Sequence, residues 1–228
     1  MITTSTIKNI FKTLVIVLMS LTVQAAWGAY STVTPLPTDT WTNHRASGYQ
    51  SGSGTQEDPW VIMSADQLAY FAYQVTNNKT TNGTYFSLQA DIDLKDHIWV
   101  PIGNLSTGDG KNFKGNFEGN GHVIKNMMLQ WEVTNSTQAQ AIGLFSTIQE
   151  KAVVKNLILD NAYIYNVTTV TNPTAPADRL IAPFAGALKK NTTIQNIIVK
   201  NTKIEIRDSY NQNNRWMLFG GFIAKMLD

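Results

Sequence analysis

Apolar positions along this chain follow two periods, and the switch between them divides it. From 65 to 77, Leu68, Phe71, Ala72 and Val75 recur at steps of three and four, which predicts one amphipathic helix. Ser64 followed by Gln67 has the form of a capping box, in which the serine accepts from the free N–H groups of the first turn and the glutamine reaches back. Asn77 and Asn78 are the expected end. Past the helix the period drops to two. In "YFSLQADIDL" (85–94), Phe86, Leu88, Ala90, Ile92 and Leu94 fall on one face, with Asp91 and Asp93 on the other. From there to residue 228, short apolar runs punctuated by Gly and Asn predict strands and turns.

The strand region repeats itself. "VIKNMML" (123–129) recurs as "VVKNLIL" (153–159) and "TIQNIIV" (193–199), aligning Asn126, Asn156 and Asn196. Asn161 and Asn201 follow five residues after the last two. Each run is preceded by an aromatic-plus-small element: "GNFEGNG" (115–121), "GLFSTI" (143–148) and "PFAGAL" (183–188). A fourth element, "GGFIAKML" (220–227), lacks the asparagine run that follows the others. Units that cannot bury an apolar row alone do so by stacking. Within "VKNLIL", Val154 is expected to close one strand, Asn156 to take a left-handed bend, and Leu157 and Leu159 to point inward. The asparagine amides are expected to pair from one repeat to the next, satisfying turn groups that burial would leave unpaired.

These features predict an all-β fold, a right-handed parallel β-helix with an N-terminal capping α-helix. The expected divisions are a signal peptide over 1–25 and an extended leader over 30–58. A cap with helix 65–77 and the first strands follows over 59–112, and the repeats fill 113–228, the last incomplete. An incomplete last repeat predicts self-association through an open C-terminal coil.

The three glycines in "GNFEGNG" raise the question of a phosphate loop. Such loops need Gly-x-x-x-x-Gly-Lys-Ser/Thr or Gly-x-Gly-x-x-Gly between a strand and a helix. Neither spacing is present and no helix is predicted after Gly121, so Gly115, Gly119 and Gly121 read as corners between short strands.

The amino terminus combines Lys8 and Lys12, the apolar run "LVIVLMSLTV" (14–23) and small residues at Val23 and Ala25, the pattern of an export signal. Cleavage as late as residue 29 is the alternative. The run is too short to cross a membrane, which takes roughly 20 residues. Lys8 and Lys12 account for the whole formal charge of +2, so the remaining chain is formally neutral. It therefore lacks the basic field that nucleic acid requires. The chain has no cysteine, which excludes disulfides, thiolate metal sites and a lipidated cysteine anchor. The expected location is secreted or cell-surface, with no transmembrane helix after signal removal.

In their order, "GSGTQEDPWVIMSADQLAYFAYQV", "YFSLQADIDL", "WVPIG", "FKGNFEGNGHVIKNM" and "GLFSTIQEKAVVKNLIL" resemble surface proteins of Bacteroidetes type that carry GLUG repeats. "PFAGALKKNTTIQNIIV" is a looser copy without the first glycine. The resemblance covers residues 52–228. It implies a parallel β-helix on an exported protein and implies no activity.

Candidate chemistry is sparse. Asp91, Asp93 and Asp96 are candidate calcium ligands, although two carboxylates two apart on a strand also describe an ordinary polar face. Trp99, Trp131 and Trp216 are candidate sugar-stacking residues, as aromatic rings serve both platforms and cores. His44, His97 and His122 show no metal-ligand spacing, and no nucleophile elbow or catalytic cysteine occurs. No catalytic residue and no cofactor other than calcium is assigned. The repeats and the sparse chemistry together lead to the expectation of a secreted or cell-surface β-solenoid module, non-catalytic, acting in binding, adhesion or as a scaffold, whose partner is a glycan or a host or extracellular surface protein. The alternatives are a fragment of a carbohydrate-active β-helix enzyme or the repeat region of a secreted peptidase.

Overall fold

The computed structural model describes residues 36–77, 81–105, 111–133, 139–149, 151–168, 178–205 and 217–227. They lie, but for Leu36, in the compact unit Pro37–Asp228. The predicted signal peptide lies outside the described residues. The helix runs Ala65–Thr76 and buries Leu68, Phe71, Ala72 and Val75, the stripe its period predicts, together with Ala69. The predicted capping box does not form; Gln67 reaches back one residue past the N-cap. Gln67 Oε1 accepts from the backbone N–H of Met63 at 2.8 Å. The Ser64 hydroxyl donates to the Asp66 carboxylate and makes no cap bond to the helix.

All other long elements are strands. The largest sheet holds β1 (Trp60–Ile62), β2 (Tyr85–Leu88), β3 (Ile92–Asp93), β4 (Asn116–Glu118), β5 (Val123–Lys125), β9 (Val153–Asp160) and β13 (Thr193–Lys200). Its path is β1-β2-β4-β9-β5-β3, with β13 on the other side of β9. Three further sheets have three strands each. One sets β6 (Met128–Val133), β10 (Tyr163–Thr168) and β14 (Lys203–Glu205) side by side. The second joins β7 (Gln140–Ile142), β11 (Arg179–Ile181) and β15 (Met217–Phe219). The third joins β8 (Phe145–Ile148), β12 (Ala185–Lys189) and β16 (Ile223–Leu227). Every strand pair is parallel.

This arrangement, mostly strand in several small parallel sheets with one helix, replaces the expected right-handed parallel β-helix. A uniform β-helix stacks one strand per repeat on the next. Here the eight residues of β9 face two three-residue strands, β4 through Val153–Lys155 and β5 through Ile158–Asp160, and only on the other side a strand of equal length, β13. The break between β4 and β5 is the glycine stretch. Asn120 and Gly121 are left-handed, at φ 51° and 77°, and His122 N–H closes the turn on Gly119 C=O at 2.9 Å. A Cβ on Gly119 would lie 2.4 Å from the Asn156 carbonyl oxygen. The stretch is a turn pressed onto the backbone of β9, as its spacing indicates, and strand β5 follows it.

The bends set which side chains face inward. Asn126, Asn156, Asn161, Asn196 and Asn201 all have φ between 52° and 58°. One left-handed residue resets the strand's alternation, so the inward positions are two before the asparagine and one and three after it. Ile124, Met127 and Leu129 are buried around Asn126; Val154, Leu157 and Leu159 around Asn156; Leu159, Ala162 and Ile164 around Asn161. The spatial register departs from the sequence alignment in one repeat. Asn156 and Asn196 stack as aligned, but Val123 pairs with Ile158 and Ile124 with Leu159, so Asn126 stacks on Asn161, five residues further along.

The main core is an aromatic and aliphatic cluster, with a smaller one around Ala141, Leu180 and Ala187. Phe71 of the helix contacts Phe86, Phe113 and Phe117 at 4.5, 5.6 and 5.7 Å between ring centroids. Phe113, Phe145, Phe184 and Phe222 continue at 5.4, 5.7 and 4.8 Å. The last three are the phenylalanines of the repeated aromatic-plus-small elements. Full burial of each such ring contributes roughly 1.5–3 kcal/mol, and no disulfide supplements it.

Candidate functional site

Residues that alternate away from the core on β2, β4 and β9 line an open groove of about 280 Å³. Its floor holds Tyr85, Ser87, Asn116, Glu118 and Lys155, with Gln56 on one wall. Parallel register puts them in rows: Tyr85 beside Asn116 beside Val153, and Ser87 beside Glu118 beside Lys155. The inward residues of the same strands, Phe86, Phe117 and Val154, fasten the floor to the core.

Glu118 is the electrostatic centre. Lys155 Nζ lies 3.1 Å from Glu118 Oε2. Glu118 Oε1 accepts from the Asn156 side-chain amide at 2.9 Å and from the Asn120 N–H at 2.8 Å. Partial burial pushes the Glu118 carboxyl up, but the hydrogen bonds from Asn156, the Asn120 N–H and Lys155 outweigh it and hold the group below its ordinary range. Tyr85 contributes a half-buried ring whose hydroxyl donates to Gln56 Oε1 at 3.3 Å. The floor thus offers a carboxylate, an ammonium, an amide and a phenol beside an aromatic edge. Such a set offers hydrogen-bond donors and acceptors to a polyhydroxylated ligand. Glycoside hydrolysis ordinarily takes two carboxyl groups across the bond that breaks; among the described lining residues Glu118 is the one carboxylate.

The sequence candidates fall elsewhere. Trp99 is 1% exposed and donates its indole N–H to the Leu144 carbonyl at 3.2 Å; Trp131 is 4% exposed. Neither presents a ring face to a sugar, which corrects the stacking assignment for both. Trp216 lies outside the described residues. Asp91 Oδ1 accepts from the Val123 N–H at 3.0 Å and lies 3.0 Å from His122 Nδ1. The Val123 bond first, and His122 after it, keep the Asp91 carboxyl below its ordinary range. Asp93 Oδ1 accepts from Asn126 at 2.9 Å and from the Lys95 N–H at 3.2 Å. Asp96 is exposed. Among the described residues, the three aspartates do not gather ligand atoms around one point. In the sequence Glu118 figures only as a carboxylate that follows the aspartates, and Lys155 and Asn116 not at all, because they are ordinary polar residues of alternating strands until register sets them side by side.

No protein-family profile and no solved structure matches the chain. Over 125 residues, 52% of the chain, it is 33% identical to a protein of Evansella cellulosilytica named as a Gly-rich membrane protein. Over 163 residues, 68% of the chain, it is 26% identical to the halomucin of Haloquadratum walsbyi. The matches span 13% and 2% of those proteins' lengths. Neither name refers to the GLUG repeat. Among the described residues no helix is long and apolar enough to cross a membrane.

Proposed function

We propose that this chain is a surface-associated or secreted binding module, and that the groove over β2, β4 and β9 takes a neutral carbohydrate chain without chemically altering it. The observation that carries the reading is the row of Ser87, Glu118 and Lys155 beside Tyr85 and Asn116. It sits on strands whose other faces are locked in the core, so it is preorganised for polar recognition. The names of the two relatives, a membrane protein and a halomucin, support a place at the cell surface, and so does the export-signal pattern of the first 25 residues. The resemblance to GLUG-repeat surface proteins belongs to the same proposal.

The test pairs a glycan array with lyase and hydrolase assays on one preparation. Binding that weakens at least tenfold in Glu118→Gln and Tyr85→Ala, with no turnover of any bound glycan, is expected. Turnover lost in Glu118→Gln would favour the carbohydrate-active-enzyme reading instead. Absence of any glycan binding would leave a protein partner as the better account of the groove.

A further inference from the structure

Away from the groove, two segments more than 50 residues apart bring one carboxylate and two imidazoles together. A parallel bridge joins Thr40 to Ile98. The Ile98 N–H donates to Asp39 C=O at 2.9 Å and the Trp41 N–H to Ile98 C=O at 3.0 Å, which sets Asp39 beside His97. A single 3₁₀ turn, Trp41–His44, then carries His44 back, so that its Nε2 lies 2.8 Å from Asp39 Oδ2. The His44 and His97 rings lie face to face, centroids 3.6 Å apart and planes 9° apart. The buried Trp41 meets His97 edge-on at 4.9 Å. One ligand atom from each of Asp39, His44 and His97 lies within 4.8 Å of the other two.

The surroundings orient these groups and leave them reachable. Asp39 Oδ1 accepts from the Thr40 N–H at 2.7 Å and the Asn43 side-chain amide at 2.6 Å. That fixes the carboxylate from behind and leaves Oδ2 facing the imidazoles, the role that outer hydrogen bonds play around ligand carboxylates. The side chains of His44 and Asp39 are 43% and 47% exposed, so an ion reaches them from solvent. The nearby cation, Arg45, is turned away: its guanidinium sits 4.0 Å over the Tyr73 ring and donates to the Thr42 carbonyl. Lys95 and Asp96, which precede His97, are exposed.

We propose that Asp39, His44 and His97 bind a divalent transition metal ion of the zinc type, through one carboxylate oxygen and two imidazole nitrogens, with the remaining positions open to water. Imidazole nitrogen with one carboxylate suits zinc, cobalt, nickel or copper, whereas calcium and magnesium take all-oxygen sets. Two ligand atoms about 2.0–2.1 Å from a tetrahedral ion stand roughly 3.3 Å apart. The Nε2–Oδ2 pair therefore opens by about half an ångström as the ion replaces the hydrogen-bonded proton; a neutral His44 then carries its proton on Nδ1, and an imidazolium releases one to solvent. Imidazole lone pairs lie in the ring plane, so binding also turns the His97 ring out of its stack with His44.

The untagged chain, titrated with zinc, cobalt and calcium and followed by calorimetry and thermal melting, tests this. One zinc per chain with a rise in melting temperature is expected, and no rise with calcium. His97→Gln and His44→Gln should each weaken zinc at least tenfold, while His122→Gln, at the separate Asp91 contact, leaves it unchanged. Zinc affinity equal to wild type in either site variant, or no binding at about millimolar zinc, would overturn the site. The cobalt-loaded wild type gives a reading that needs no variant: visible absorption of tetrahedral or five-coordinate nitrogen–oxygen ligation is expected, and a spectrum identical to hydrated cobalt would overturn it. A melting temperature raised by calcium and not by zinc would likewise overturn the site.

Discussion

Asn196 donates its side-chain amide to Asn156 Oδ1 across 3.0 Å, and Asn156 passes its own amide to Glu118 at 2.9 Å. A second file runs beside the first, Asn161 to Asn126 at 2.7 Å and Asn126 to Asp93 at 2.9 Å. Each file begins on a carboxylate, which accepts and cannot donate, so the direction of every amide above it is fixed. At the bends the backbone changes hand and two strand halves meet. The rungs pair the side chains at those corners with one another.

Asn156→Leu should cost about 1–3 kcal/mol in a denaturant titration, because it breaks two rungs and places a branched side chain at φ 56°. Asn156→Gly keeps the bend and loses only the rungs, so it should fall between the wild type and the leucine variant. A loss under a few tenths of a kcal/mol in the leucine variant would remove the files as a stabilising feature.

Gly119→Ala should destabilise by about 1–3 kcal/mol, since its Cβ meets the backbone of Asn156 and nothing there is a flexible side-chain end. Gly48→Ala, where an added Cβ meets nothing within 4 Å, should be close to neutral. Equal melting temperatures for the two variants would contradict the close approach between the glycine turn and β9.

Much of this was legible in sequence, and the limits have physical causes. In "VVKNLIL" the bend at Asn156 and the inward Leu157 and Leu159 could be read, whereas Val154, read as the close of a strand, is also buried because the bend resets the alternation around it. The register of "VIKNMML" was not legible. Asparagines five apart at 156 and 161 offer two equally good partners for Asn126, and only the turn at 119–122, by taking up chain between β4 and β5, selects the second. The stacking candidates failed because an aromatic residue reads the same whether it covers a core or a sugar, and burial of Trp99 and Trp131 is a property of neighbouring strands. Asp39, His44 and His97 carry no spacing signal, because a backbone bridge at Thr40 and Ile98 is what joins them.

Stability should fall in acid in a predictable window. Hydrogen bonds from Asn43, then His44 and the Thr40 N–H, hold the Asp39 carboxyl down to about 2 from an ordinary 3.8. A folded value below the unfolded one means the contribution is fully present above about pH 4 and is lost as pH falls through about 2. With a chelator present, the melting-temperature gap between wild type and Asp39→Asn should narrow from pH 4 downward and close near pH 2. A gap that stays constant from pH 6 to pH 2 would show that these bonds do not favour the ionised form.

Among the described residues, β13, β14, β15 and β16 each pair with a single strand. They carry Ile198, Phe219 and Met226 at 53%, 46% and 78% exposure. Unpaired parallel edges beside exposed apolar groups template the addition of strands from another copy. Sedimentation velocity should show association that grows with concentration, and Ile198→Lys with Met226→Lys should reduce it. A monomer at all concentrations tested would mean that these edges are covered in some other way.

The rungs span unequal stretches of chain: 33 residues from Asp93 to Asn126, 35 from Asn126 to Asn161, 38 from Glu118 to Asn156 and 40 from Asn156 to Asn196. They dictate where a strand lands and leave open how far the chain travels before it arrives. Segments between rungs are then free to lengthen, shorten or change composition while the strands keep their partners. Variation in the connecting segments becomes decoupled from the pairing of the strands. It also marks the connections between strands, and not the strands themselves, as the places where a foreign peptide can be grafted.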